Sequence, residues 1–177
     1  WQLPVGIFGG TVPADSTGTT KAANAIGQGQ VLMSPAHMAL VAAGVASGTP
    51  AAPVEVVGAE PAGPTPAGPG QAVLDALRPL MRQVVLTGTA TALAGRGEVY
   101  GKTGTAEFGE NTPPDSHGWF MGYQLAGPQG DIAFAVLVVA GQSSSVAGGV
   151  TVADSTGRPS SVVGLYQPSY GVYAATK

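Results

Sequence analysis

The sequence predicts an α+β domain in which helices cover an antiparallel sheet. Residues 35–47 and 71–87 place apolar side chains at helical spacing, while residues 99–108, 119–124 and 132–140 read as strands, the last two joined by the hairpin turn Gly127-Pro128-Gln129-Gly130. Helices that bracket three such strands bury their apolar faces against the resulting sheet.

The opening stretch, Trp1 to Lys21, mixes Pro4, Gly6, Gly9, Gly10, Pro13 and Gly18 with polar residues, so loop is expected there and residues 1–24 are read as a loop-rich segment. Ser34-Pro35 then supplies an N-cap and a proline at the first helical position. Met38, Val41, Ala42 and Val45 recur at helical spacing, and Gly48 ends the helix near Ser47. Six prolines, at 50, 53, 61, 64, 66 and 69, surround the apolar run 54–57, which fits a short strand followed by a stiff connector. From Gln71 to Thr87, Val73, Leu74, Leu77, Leu80, Met81, Val84 and Val85 share one helix face, and Gly88 stops it. Residues 93–96 suit a short second helical piece. The segment 99–108 alternates loosely around two glycines, as a strand does where a ligand approaches its backbone. Residues 25–141 form the predicted domain. Over 142–177 the composition turns to Ser, Gly, Thr and Tyr; no element is assigned, and no amphipathic helical pattern follows Gly149.

With 44% apolar and 10% charged residues among 177, the chain can build one core and is not a charge-driven disordered segment. Seven basic against ten acidic residues leave no electrostatic footprint for nucleic acid. Neither a membrane span nor a signal peptide is read here, because no apolar run reaches the roughly 18 residues a span needs and no basic-then-apolar leader opens the chain. The absence of cysteine removes disulfides, zinc-thiolate sites and thiol chemistry together, without selecting a compartment.

Tyr100-Gly101-Lys102-Thr103-Gly104-Thr105-Ala106 is the segment richest in chemistry, since it puts an ammonium, a hydroxyl and flanking glycines on one extended piece that can hold an anion. A solvated lysine in a turn is its bland alternative. Gly101-Lys102-Thr103 also matches the end of a phosphate-binding loop, but the first glycine of that motif falls on Arg96 and Gly104 follows instead of a helix-forming run. The remaining context for K-T-G is the edge strand of a serine acyl-transferase, where Lys102 would lie and the triplet accompanies S-x-x-K and S-D-N type motifs.

Four ordered blocks extend that context: 25–29 with 34–39, 81–85 with 88–90, 101–107, and 117–123. In order and spacing they resemble the C-terminal half of the transpeptidase domain of class B penicillin-binding proteins, and the Ala- and Gly-rich wording is similar to actinobacterial members. The resemblance implies a partial β-lactamase/transpeptidase-like fold. It implies that Lys102 and Thr103 bind the carboxylate of a stem peptide or a β-lactam, with Gly104 allowing close approach. Thr105 would lend its backbone N–H to the oxyanion hole, a donor worth roughly 3 kcal/mol of barrier. Trp119 and Phe120 would support the site, although plain strand packing is the simpler reading of both. The implied activity is a serine D,D-transpeptidase without a cofactor. Its partners would be D-Ala-D-Ala stem peptides, β-lactams and the N-terminal part of the same protein, at the extracytoplasmic face of the bacterial plasma membrane and anchored outside these residues. A β-lactam sensor, a class D-type β-lactamase fragment and a non-catalytic binding or surface module are the rivals; the long insertion at 107–116 and the G-Q-G block favour the transpeptidase.

The chain holds no S-x-x-K: the residues three before Lys21, Lys102 and Lys177 are Gly18, Val99 and Ala174. Nor does S-x-N occur, since Ala22 and Gly109 stand two before Asn24 and Asn111. In the family both motifs precede the G-Q-G block, so the chain is expected to be a fragment that contributes one wall of a site and no nucleophile. His37 and His117, 80 positions apart without acidic partners at ligand spacing, do not suggest a metal site. His117 could sit near the cleft, Glu107 is expected to be solvated rather than paired with Arg82 or Arg96, and Ser143, Ser144 and Ser145 lack a visible base.

Overall fold

The computed structural model describes residues 8, 10–50, 67–127, 130–139, 161–167 and 171–176. Two short strands, β1 (Gly10–Thr11) and β2 (Leu32–Met33), pair antiparallel, and helix α1 (Gly18–Ala25) lies between them in sequence. Helix α1 corrects the loop expected through Lys21. Its run is short and polar and buries no residue, so no apolar periodicity announces it.

Helix α2 (Pro35–Ser47) starts and stops as its punctuation requires. Ser34 is extended and its Oγ accepts the His37 N–H at 3.2 Å, Pro35 opens the first turn, and Gly48 turns left-handed at φ 82°. Ala36, Ala39, Leu40, Ala42, Ala43 and Val45 are buried, and these mostly small side chains let α2 lie across the sheet. Arg78, from the next helix, donates Nε to the Val45 carbonyl (2.9 Å) and Nη2 to the Ala46 carbonyl (3.0 Å), closing the C-terminal end of α2.

Helix α3 (Gln71–Leu86) buries Leu74, Met81 and Val85, with Leu77 and Val84 partly covered. Val73 and Leu80 are 55% and 65% exposed, so the predicted apolar face is wider than the surface it covers. The helix ends because the chain doubles back onto it: a Cβ at Gly88 would lie 2.8 Å from the Val84 Cα. The short helical piece is a 3-10 turn at Thr91–Leu93, ahead of the expected 93–96. The expected strand at 54–57 falls outside the described residues.

Five antiparallel strands follow: β3 (Glu98–Phe108), β4 (Asp115–Gly127), β5 (Gly130–Val138), β6 (Ser161–Gln167) and β7 (Gly171–Thr176). They lie in the order β3-β4-β5-β6-β7, which makes β3 an edge strand among the described residues. Its register sets Lys102 opposite Met121, Gly104 opposite Trp119 and Ala106 opposite His117. The β4–β5 hairpin closes at the expected place, with Gly127 opposite Gly130. The unassigned segment 142–177 thus contributes two strands, and β5 stops at Val138, short of 140.

Side chains alternate across the sheet, so Tyr100, Tyr123 and Ala133 point to one face and Val99, Phe120 and Val136 to the other. On the first face Leu40, Leu74 and Met81 join Tyr123, and the rings of Tyr100 and Tyr123 stack at 4.7 Å. On the second, Val85 and Ala90 meet Val99, Phe120, Val136 and Val138. Burial pushes the Tyr123 phenol up to about 12. Tyr100 is raised as well, first because its hydroxyl donates to Glu98 at 2.6 Å and then through desolvation.

Candidate active site

Among the described residues strand β3 pairs with β4 on one side only. In an antiparallel pair the N–H and C=O of one residue point to the same side, and successive residues alternate. Among the described residues three side chains reach β3 carbonyls: Arg82 Nη1 donates to Val99 at 2.7 Å, Lys102 Nζ to Thr103, and Gln28 Nε2 to Thr105 at 2.8 Å. Val99, Thr103 and Thr105 share one parity, so theirs is the free edge, and the N–H groups of Thr103 and Thr105 point the same way as their carbonyls. An ordinary edge alternates donors and acceptors. Here those acceptors are engaged by cationic or amide donors while the N–H groups face outward, which suits an anionic oxygen or a carbonyl.

Lys102 stands on the opposite parity, on the face of Tyr100 and Met121. It is exposed and borders a groove of about 600 Å³ lined by Met38, Val41, Leu80, Met81 and Val84. Because its Nζ folds back to the Thr103 carbonyl, the charge sits at the free edge. Thr103 Oγ1 lies 2.6 Å from Thr89 Oγ1, a residue of the turn after α3, so the hydroxyl of the triplet is oriented by a second hydroxyl. Gly104 has only an ordinary neighbour, Trp119, 3.4 Å from where a Cβ would stand. Gly101 is sterically obliged: a Cβ there would meet the Phe120 ring at 2.3 Å.

Phe120 is 2% exposed and belongs to the core beneath Gly101, whereas Trp119 is half-buried beside Gly104 on the face of Lys102. His117 stacks on Phe108 at 4.1 Å, farther along β4. His37 lies in the first turn of α2, where its backbone N–H donates to Ser34 Oγ. Glu107 is exposed, and Arg82 is engaged instead by Val99 and by the Tyr100 ring, 5.7 Å from its guanidinium carbon. Residues 143–145 are outside the described segments. Gln28 and Thr89 lie in the quoted blocks but the chemistry of the triplet alone assigns them no part, and Arg82, which the sequence offers only as a partner for Glu107, reaches the edge strand instead.

Among the described residues no three His, Cys, Asp or Glu side chains converge as a metal site, and no helix is long and apolar enough to cross a membrane. No curated protein matches the chain. The family model for the penicillin binding protein transpeptidase domain matches residues 6–157, which include both β1 and the whole of β3, β4 and β5. With most of its length matched, and with the K-T-G triplet on a donor-rich sheet edge, the chain belongs to the penicillin-binding protein transpeptidase domain family.

Proposed function

We propose that this chain forms the sheet-edge wall of a class B serine D,D-transpeptidase that cross-links peptidoglycan stem peptides and is acylated by β-lactams. The observation that carries the reading is the free edge of β3, where Lys102 supplies positive charge and the N–H groups of Thr103 and Thr105 point outward. Lys102 and the Thr103 hydroxyl hold the substrate's terminal carboxylate as a charge-assisted pair. The Thr105 N–H stabilises the oxyanion of the tetrahedral intermediate, where a preorganised donor is worth more than in water. The nucleophile is a serine of an S-x-x-K motif carried by the preceding part of the same protein. It attacks the D-Ala-D-Ala carbonyl, D-Ala leaves, and the acyl group passes to the amine of a neighbouring peptide. The site works outside the cytoplasm, on a protein held at the membrane by a segment beyond these residues.

Fluorescent penicillin tests this directly. Residues 1–177 alone are expected to form no covalent adduct, and the protein that carries the serine part as well is expected to label. A labelled band from the chain alone that survives denaturation would place the nucleophile within it and refute the division of the site. Failure of the larger protein to label would refute the β-lactam-acylated transpeptidase.

A further inference from the structure

We propose that Gln28 is a positioning residue for the oxyanion-binding backbone at Thr105, an inference that rests on the functional reading above. Gln28 lies 77 positions from Thr105 in the chain, yet its Nε2 donates to the Thr105 carbonyl at 2.8 Å. The loop that presents it has little freedom. Gly27 and Gly29 flank it at φ 80° and 68°, the Gln28 N–H donates to the Ala23 carbonyl at 2.9 Å, and the Gln30 N–H donates to Asn24 Oδ1 at 2.8 Å. A Cβ at Gly29 would stand 2.6 Å from that same Asn24 oxygen, so the turn has room only for glycine at a backbone angle that glycine prefers.

The carbonyl and the N–H of Thr105 flank one Cα on the same side of the strand. On the other side, Gly104 and Ala106 pair with Trp119 and His117 of β4. Anchoring the carbonyl from the outside therefore fixes the direction of the neighbouring N–H, which a singly paired edge strand would otherwise leave free to twist. Gln28 also covers the group on this edge that most repels a developing oxyanion: the Thr105 carbonyl oxygen carries a partial negative charge, and the amide donor offsets it. A neutral amide does so without adding a charge that would compete with Lys102 for the substrate carboxylate.

The test uses the protein that carries the serine part, with acylation by a fluorescent penicillin resolved into a non-covalent Kd and an acylation rate constant. Gln28→Ala is expected to lower the rate constant about tenfold and leave Kd within about twofold, the split of a residue that acts in the transition state. Gln28→Glu keeps the length but sets a carboxylate oxygen against the Thr105 carbonyl, so at neutral pH it should be slower still. Its rate relative to wild type should recover as the pH falls toward the usual carboxyl value of about 4.3, because the protonated acid can again donate. A residue that merely held the loop would show no such recovery, and this ratio remains informative if Gln28→Ala folds poorly. A Gln28→Ala rate constant equal to or above wild type, an effect on Kd alone, or a Gln28→Glu ratio flat with pH would each overturn the proposal. Absence of acylation in the wild type would overturn the transpeptidase reading itself, and this inference with it.

Discussion

Replacing Gly101 by alanine probes how the lysine strand is seated. The added methyl would stand 2.3 Å from Phe120 Cζ, 2.8 Å from its Cε2 and 2.9 Å from the Met121 carbonyl oxygen. Carbon atoms rest at about 3.5–4.0 Å, so the ring would have to retreat by about an ångström or more. Phe120 is 2% exposed and is enclosed by Val85, Val99, Val136 and Val138, and the Met121 carbonyl belongs to a strand paired on both sides. Overpacking of this kind costs about 1–3 kcal/mol; with both the ring and a backbone oxygen in the way, Gly101→Ala is expected in the upper half of that range. Gly104→Ala, which meets only Trp119 Cβ at 3.4 Å, should stay within about 0.5 kcal/mol of wild type. Guanidinium unfolding of the chain, followed by tryptophan fluorescence with the slope checked for constancy, measures both. The mechanism also requires coupling: Phe120→Leu alone should cost about 1 kcal/mol, and the double variant should regain about 1 kcal/mol against the sum of the singles. A Gly101→Ala stability near wild type, or strict additivity with Phe120→Leu, would refute the steric account.

In the protein with its serine part, Lys102→Ala should slow β-lactam acylation by about 2–4 kcal/mol, and Lys102→Arg should restore only part of it, because a planar fork replaces a compact ammonium beside Gly101 and Gly104; second-order acylation rates check this, and a near-wild-type rate for Lys102→Ala would remove the residue from the site. Thr89→Val, which deprives the Thr103 hydroxyl of its partner at 2.6 Å, should slow acylation about threefold to tenfold while shifting stability by less than about 0.5 kcal/mol, since the pair is exposed. Arg78→Met should destabilise the chain by about 1–2 kcal/mol in denaturant titration, as two carbonyls at the end of α2 lose their donors, and Arg78→Lys should recover less than half of that. The Tyr123 phenol, raised by burial to about 12 in the fold against the usual 10, stabilises the folded state fully below pH 10 and loses that contribution as pH rises toward 12; Tyr123→Phe should flatten this alkaline fall in thermal midpoint.

What was legible in the sequence was local. Ser34, Pro35 and Gly48 mark the ends of α2 by their own backbone and side-chain chemistry, and they do so in the structure. The alternation over 99–108, 119–124 and 132–140 reads as strands because pleated backbone turns successive side chains to opposite faces, and the turn at 127–130 joins two of them. The K-T-G triplet and the blocks around it were enough to indicate the family. The apolar stripe of α3 was legible too, but not how much of it is covered: Val73 and Leu80 have the right spacing and still face outward.

The rest depended on contacts between distant residues. The K-T-G context anticipates an edge strand, but the alternation of 98–108 does not by itself show one; the edge follows from β4, β5, β6 and β7 all lying to its other side, two of them from a segment whose Ser, Gly and Tyr content carries no clear period. Helix α1 buries nothing and so leaves no pattern to read. Gln28 and Thr89 acquire their partners across 77 and 14 positions, through hydrogen bonds whose direction is set by the sheet edge and by the turn after α3. Residue type and spacing decide which backbone conformations are cheap, so the sequence by itself determined α2, α3, the strands β3, β4 and β5 and the place of the K-T-G triplet, but not α1, β1, β2, β6 or β7. Which side of a strand is left unpaired, and which side chains reach its carbonyls, is decided only when the whole sheet has formed, because a backbone edge has no side-chain signature of its own.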